Sequence, residues 1–251
     1  VISYPLIVKL IINMEELEFI KLFGVKITTA NEESILKYIL KTIDNKGKKL
    51  FITTPNPEII MYGNSHPEFK KILNEADLAL PDGIGVSLCA WLTGKGYVHR
   101  ITGVDMVEKV CSALSKSADS AGFFGGLPGV AEDTAKCLQK KYYGLTVNYA
   151  SDVWDTEKMT GKKIGVLFVA MGYPAQEKWI HENLDKIPVR VAIGVGGAFD
   201  FISGNTSRAP KLLRMIGLEW LYRLVIQPWR WRRQLALIKF SLMTLKEALH
   251  L

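Results

Sequence analysis

Cysteine is scarce in this sequence: three in 251 residues, at Cys89, Cys111 and Cys137. They are far apart and form no C-x-x-C pair, which excludes a disulfide framework. They read as small buried hydrophobes in a reducing compartment. Histidine is almost as sparse. His66, His99, His181 and His250 show no H-E-x-x-H or other metal spacing, and no metal site is expected. No run of about 18 apolar residues occurs, so no transmembrane helix is expected. There is no internal repeat and no low-complexity tract. Acidic residues are short in one place only. Residues 207–251 hold nine Lys and Arg against two acids, Glu219 and Glu247, so this segment carries the whole net charge of +7. A surplus confined to the last fifth of the chain points to an anionic partner met there.

What is present is alternation. Short apolar runs at KKLFITT (48–54), DLALPDGIG (77–85), SAGFFGGLPG (120–129), LTVNYA (145–150), GVLFVAMG (165–172) and VRVAIGVGGAF (189–199) alternate with helical spacing. Strand, turn and helix in this order predict an α/β fold, a Rossmann-like, mostly parallel sheet flanked by helices. Three regions are expected. Residues 1–15 form an apolar leader of uncertain structure, 16–206 the α/β core, and 207–251 a basic, amphipathic C-terminal helical appendage. Polar residues 151–164 leave little room for a helix and read as a shortened connection.

In parallel sheets ligands gather beyond the carboxyl ends of the strands. The loops expected there each admit two readings. In TTPNPE, Asn56 suits a helix N-cap with Pro57 at the first helical position. Thr54 and Asn56 equally suit a ligand at a strand end. In PDGIG, Asp82 suits a β-turn or a general base. In HRITGVD, Thr102 or Asp105 suits a helix cap, and Arg100 is either a surface charge or a neighbour of Asp82. Gly125 and Gly126 let backbone N–H groups approach a phosphate or base, but G-x-G-x-x-G spacing and G-K-[ST] are both lacking. Gln176 is the polar group of MGYPAQE most suited to a cleft. Asp200 ends GVGGAFD as a turn residue or a hydrogen-bond acceptor.

D-x-D is also lacking, the pair of carboxylates that would hold a divalent ion on a nucleotide-sugar diphosphate. Arginine is the natural substitute, because its planar fork matches phosphate oxygens. The tail supplies several, interleaved with Trp220, Trp229 and Trp231 and with aliphatic residues at helical spacing up to Pro228. Such a segment suits a membrane surface; a helix pair packed on the core is the other reading. No helix-turn-helix or RNA motif accompanies it, so nucleic acid is not expected.

Taken together, TPNPEII, ALPDGIGV, HRITGVD, FFGGLPG, MGYPAQE, GVGGAFDFISG, RAP and GLEWLYRL resemble the WecG/TagA/CpsF glycosyltransferases, most of all the TagA branch of wall teichoic acid synthesis. The resemblance runs from about Leu22 to Arg233 and is not carried past Gln234. It implies an inverting transfer with neither metal nor cofactor, from UDP-N-acetylmannosamine to the 4-hydroxyl of N-acetylglucosamine on undecaprenyl diphosphate. Other family donors, UDP-N-acetylmannosaminuronate or UDP-glucose, stay open, as does a non-catalytic module that binds nucleotide and membrane. By this resemblance Asp82 is the general base, with Thr54, Gln176 and Arg100 around the sugars. Asp200 contacts uridine, Asn56, Gly125 and Gly126 line the nucleotide-sugar site, and Arg223, Arg230 and Arg233 clamp the diphosphate. Any nucleotide contact at Trp154 is in doubt. The protein is then expected in the cytoplasm, peripheral on the inner face of a bacterial membrane. Apolar surface uncovered by a detached tail would favour homo-oligomers.

Overall fold

The computed structural model describes residues 17–45, 47–159 and 161–250, with the side chain of Arg230 also outside the description. The expected leader at 1–15 therefore lies outside the described residues. The chain opens on an antiparallel hairpin, β1 (Phe19–Leu22) and β2 (Val25–Thr28). Six parallel strands follow: β3 (Leu50–Thr53), β4 (Leu78–Ala79), β5 (Ser120–Gly125), β6 (Thr146–Ser151), β7 (Ile164–Ala170) and β8 (Val189–Gly194), in the order β4-β3-β8-β7-β5-β6. The α/β expectation holds.

Side chains alternate across the sheet as the strand period of two requires. Leu50, Ile52, Val166, Phe168, Val191 and Ile193 face one layer of helices. That layer comprises α1 (Glu32–Asp44), α5 (Gly103–Leu114), α6 (Val130–Lys141) and the short α8 (Ala198–Ile202). Phe51, Leu167, Val169 and Ala192 face the other side, where α7 (Ala175–Asn183) packs with Ile180. The adjacent interior strands β5 and β7 are buried throughout, as doubly covered strands must be. The connection after β6 contains only a single 3-10 turn (Glu157–Met159). Trp154 packs there against Phe124, Tyr149 and Trp179, an aromatic cluster that holds the shortened segment down.

A third cluster joins the hairpin to α2 (Pro57–Ser65), α3 (Pro67–Glu75) and α4 (Ile84–Leu92). Its last member comes from the tail. After α9 (Lys211–Met215) and α10 (Glu219–Ile226), the chain turns at Pro228 into α11 (Trp231–Ala248), an 18-residue helix. Phe240 is buried in this cluster, edge-on to Phe23 at 5.4 Å. Thr244 is buried too, and Glu247 pairs with Lys95 just beyond α4. The residues after Gln234 are thus part of the packing. Phe240→Ala should destabilise the fold by about 3 kcal/mol, the low end for a buried Phe. Thermal or urea unfolding reads this; an unchanged midpoint would mean α11 does not close the cluster.

One cysteine corrects the sequence reading. Cys89 and Cys111 are buried, but Cys137 is exposed on the outer face of α6, where the helix period turns it to solvent.

Candidate active site

Backbone hydrogen bonds lace the loops at the carboxyl edge of the sheet. Leu80 N–H donates to the Thr53 carbonyl (2.8 Å), Asp82 N–H to Pro55 (3.0 Å) and Ile101 N–H to Pro81 (2.9 Å). TTPNPE, PDGIG and HRITGVD therefore form one surface. The nearness of Arg100 to Asp82, open in the sequence, follows from this lacing.

Asp82 lies at the centre. Burial pushes its carboxyl up to about 7, against the pull of Arg100 and Arg223 and with a further push from Glu219 and Asp105. The residue keeps some exposed surface, but its carboxyl is crowded by protein. A carboxylate tuned near neutrality at a strand edge has the proton affinity a general base needs.

Thr54 and Gln176 support this surface from behind. The Thr54 hydroxyl is buried and donates to the Gly194 carbonyl (2.8 Å), tying β3 to β8. Gln176 is buried, accepts from Gly196 N–H (2.9 Å) and donates to Glu177 Oε1 (2.7 Å). Its amide thereby fixes the glycine loop after β8. Glu177 is buried as well, and desolvation raises its carboxyl to about 7 despite that hydrogen bond. Asn56 accepts from Ile59 N–H (2.9 Å) and caps α2, so the capping reading is realised. Gly125 has φ +99°, and a Cβ there would meet the Ala170 backbone at 3.0 Å, so this loop needs glycine to close on β7. Gly126 N–H donates to the Ala170 carbonyl (3.0 Å).

The tail completes the surface. Arg100 donates to the Arg214 carbonyl (2.6 Å) and to Glu219 Oε2 (2.9 Å). Arg208 reaches the other Glu219 oxygen (3.4 Å) and pairs with Asp105 (2.8 Å). Burial alone would raise Asp105, but hydrogen bonds from Arg208 and Thr102 hold its carboxyl below the usual range. Arg223, one turn after Glu219 on α10, reaches Gly197: a Cβ on that glycine would lie 3.0 Å from Arg223 Nη2 and 3.5 Å from Asp200 Oδ2. Its guanidinium stands 4.7 Å from the Phe201 ring centroid. Burial lowers its pKa against the opposing field of Glu219, Asp82, Glu58 and Asp200. Arg233 sits 5.7 Å from the Tyr173 ring centroid. The Arg230 side chain lies outside the description. Gly217, φ +78°, allows the α9–α10 corner to close over Ile84, which any side chain at 217 would strike.

Asp82, Arg100, Arg223 and Asp200 are therefore brought into one region, with Thr54 and Gln176 beneath it. Arg208, Asp105 and Glu219 were not among the expected site residues. Their signal was present, since each stands inside a quoted motif (RAP, HRITGVD, GLEWLYRL). Among the described residues, no three His, Cys, Asp or Glu side chains are grouped to hold a metal ion.

The chain matches the model of the Glycosyl transferase WecG/TagA/CpsF family over residues 20–251. The match corrects the expectation that the resemblance fades after Arg233: α11 belongs to the family's pattern. A protein of Bacillus spizizenii described as N-acetylglucosaminyldiphosphoundecaprenol N-acetyl-beta-D-mannosaminyltransferase is 34% identical over 85% of this chain and 85% of its own length. Its namesake in Bacillus subtilis is 33% identical over 87% of this chain and 88% of its own. One in Staphylococcus aureus is 30% identical over 73% of this chain and 74% of its own. With the family match spanning the sheet, the Asp82 surface and the tail together, the chain belongs to the WecG/TagA/CpsF family of glycosyltransferases.

Proposed function

We propose that the protein transfers N-acetylmannosamine from UDP-N-acetylmannosamine to the 4-hydroxyl of N-acetylglucosamine on undecaprenyl diphosphate, with inversion and without a metal ion. The relatives' descriptions supply the sugar and the lipid-linked acceptor. The observation that carries the chemistry is Asp82, a carboxylate near neutrality flanked by Arg100 and Arg223.

In this reading Asp82 removes the acceptor hydroxyl proton as the oxygen attacks the anomeric carbon in line, and the bond to UDP breaks. General-base help of this kind is worth roughly 10²–10⁴-fold. Negative charge grows on the departing diphosphate, and arginines aimed at it act as preorganised electrostatic stabilisers. Arg100, Arg214 and Arg223 each hold a buried Nε–H without an acceptor, which suits an anionic ligand. An unmatched buried donor costs about 1–3 kcal/mol, and a phosphate oxygen would relieve it.

The test is a transfer assay with a lipid-linked N-acetylglucosamine acceptor and a donor panel of UDP-N-acetylmannosamine, UDP-N-acetylmannosaminuronate and UDP-glucose, with and without EDTA. Turnover with the first donor, unaffected by EDTA, is expected; preference for another donor would reassign the substrate. The same assay run across pH gives a second result. Because the base must be ionised, kcat/KM should be flat above about pH 7 and fall about tenfold per pH unit below it. A limb near pH 4 would contradict the burial of Asp82.

The tail adds a place for the acceptor's lipid. Among the described residues no helix is long and apolar enough to cross a membrane. Yet Trp229 and Trp231 are 71% and 55% exposed, and Val225, Ile238 and Leu242 are exposed with them. Aromatic and aliphatic groups beside arginines suit an anionic bilayer surface, here the inner face of the cell membrane. Trp229→Ala with Trp231→Ala should lower cosedimentation with anionic vesicles severalfold and leave transfer to a water-soluble acceptor intact. Unchanged sedimentation would remove these residues from the membrane contact.

A further inference from the structure

The Glu219 side chain touches both arginines of the tail–core junction. Its Oε2 accepts from Arg100 at 2.9 Å and its Oε1 from Arg208 at 3.4 Å. All three side chains are mostly buried, so these charges meet in a poorly screened place. Arg208 is in turn pinned by Asp105 on α5 at 2.8 Å and by the Thr102 hydroxyl at 3.3 Å. The first turn of α10 is thereby anchored to the HRITGVD loop, and Arg223 follows four residues later on the same face. Asp82 is faced by Arg100 and Asp105 from that loop and helix, and by Glu219 and Arg223 from α10. Glu219 opposes both arginines that act on Asp82, since it lies in the field of Arg223 as well.

We propose that Glu219 is a positioning residue: by clamping Arg100 and Arg208 together it docks α10 on the core and limits how strongly Arg100 acts on the base. This rests on the reading of Asp82 as that base. Two effects of opposite sign follow when the charge is removed. Arg100 acts on Asp82 without its counter-charge, so the carboxylate ionises at lower pH. The α10 register loosens, so Arg223 is held less well over the Gly197 loop.

The experiment compares Glu219→Gln with Glu247→Gln in the full-length protein, reading kcat/KM against pH, UDP affinity and the melting temperature. Glu247 also ties tail to core, through Lys95, but does not touch either Arg100 or Arg208. Glu219→Gln should move the acid limb of kcat/KM down by about one pH unit, within the range of a neighbouring charge. It should also weaken UDP binding severalfold. Glu247→Gln should lower the melting temperature alone and leave the limb in place. A limb that stays put in Glu219→Gln, or moves equally in both variants, overturns the proposal and leaves Glu219 a structural tie. Asp82→Asn is run alongside. If it keeps near-normal turnover, the base assignment fails instead, and the two failures are told apart.

Discussion

Asp82→Asn should cut turnover by about 10²–10⁴-fold, the usual worth of a general base, while UDP affinity stays near normal. Asparagine keeps the size and most of the shape of the side chain, so the lacing of Asp82 N–H to Pro55 persists. What is lost is the group that takes the acceptor proton in the proposed reaction. Turnover within about tenfold of wild type is too small a loss for a missing base and would sink the assignment. The same substitution has a second signature. Burial raises the Asp82 carboxyl from 3.8 to about 7 in the folded protein. The folded state thus binds the proton more tightly than the unfolded state, and stability declines as pH rises through that window. Above about pH 7 the wild type carries the full penalty of a desolvated charge, and asparagine carries none. Asp82→Asn should therefore melt higher than wild type at about pH 8 and no higher at about pH 4. A variant both inactive and more stable marks a residue kept for chemistry, not for the fold.

Arg223→Ala should weaken UDP binding about ten- to a hundredfold, the equivalent of losing a charge-assisted hydrogen bond worth about 1.5–3 kcal/mol. Arg223 has an enclosed setting, between the Gly197 loop, the Phe201 ring and four carboxylates. Removing it also weakens the positive field opposite those carboxylates, so a diphosphate is repelled more strongly. Arg223→Lys should recover only part of the loss, because a point charge cannot reproduce the planar fork. Calorimetric titration with UDP measures both. Unchanged affinity in Arg223→Ala would remove this residue from the diphosphate clamp.

The sheet was legible because its strands are short apolar runs punctuated by glycine and proline. The hairpin at Phe19–Thr28 and helix α1 were not read, although both left marks. Leu22, Val25 and Ile27 are buried around the turn, and Ile35, Ile39 and Ile43 recur every four residues behind the Asn31 cap. The loops of the site were legible for the same reason as the strands: they are where Gly, Pro and polar residues collect. Direction was not. Nothing in TTPNPE says that the Thr54 hydroxyl turns back to Gly194. Nor could the tail charges be divided into those that meet solvent and those that are buried. Arg208 and Glu219 join residues about a hundred positions away, and such pairs leave no local period to read.

Helix α11 closes a cluster whose other walls are the hairpin and α2, so Phe240 meets Phe23 across more than two hundred residues of chain. Synthesis proceeds from the amino end at about 5–20 residues per second. Throughout that time the hairpin, α2 and α4 stand without their last wall, and Asp82 without Glu219 and Arg223. Until α10 has folded onto the core, the proposed base lacks the charges of Glu219 and Arg223 that face it. Until α11 folds back, the side of this cluster that Phe240 covers, next to Phe23, stays open.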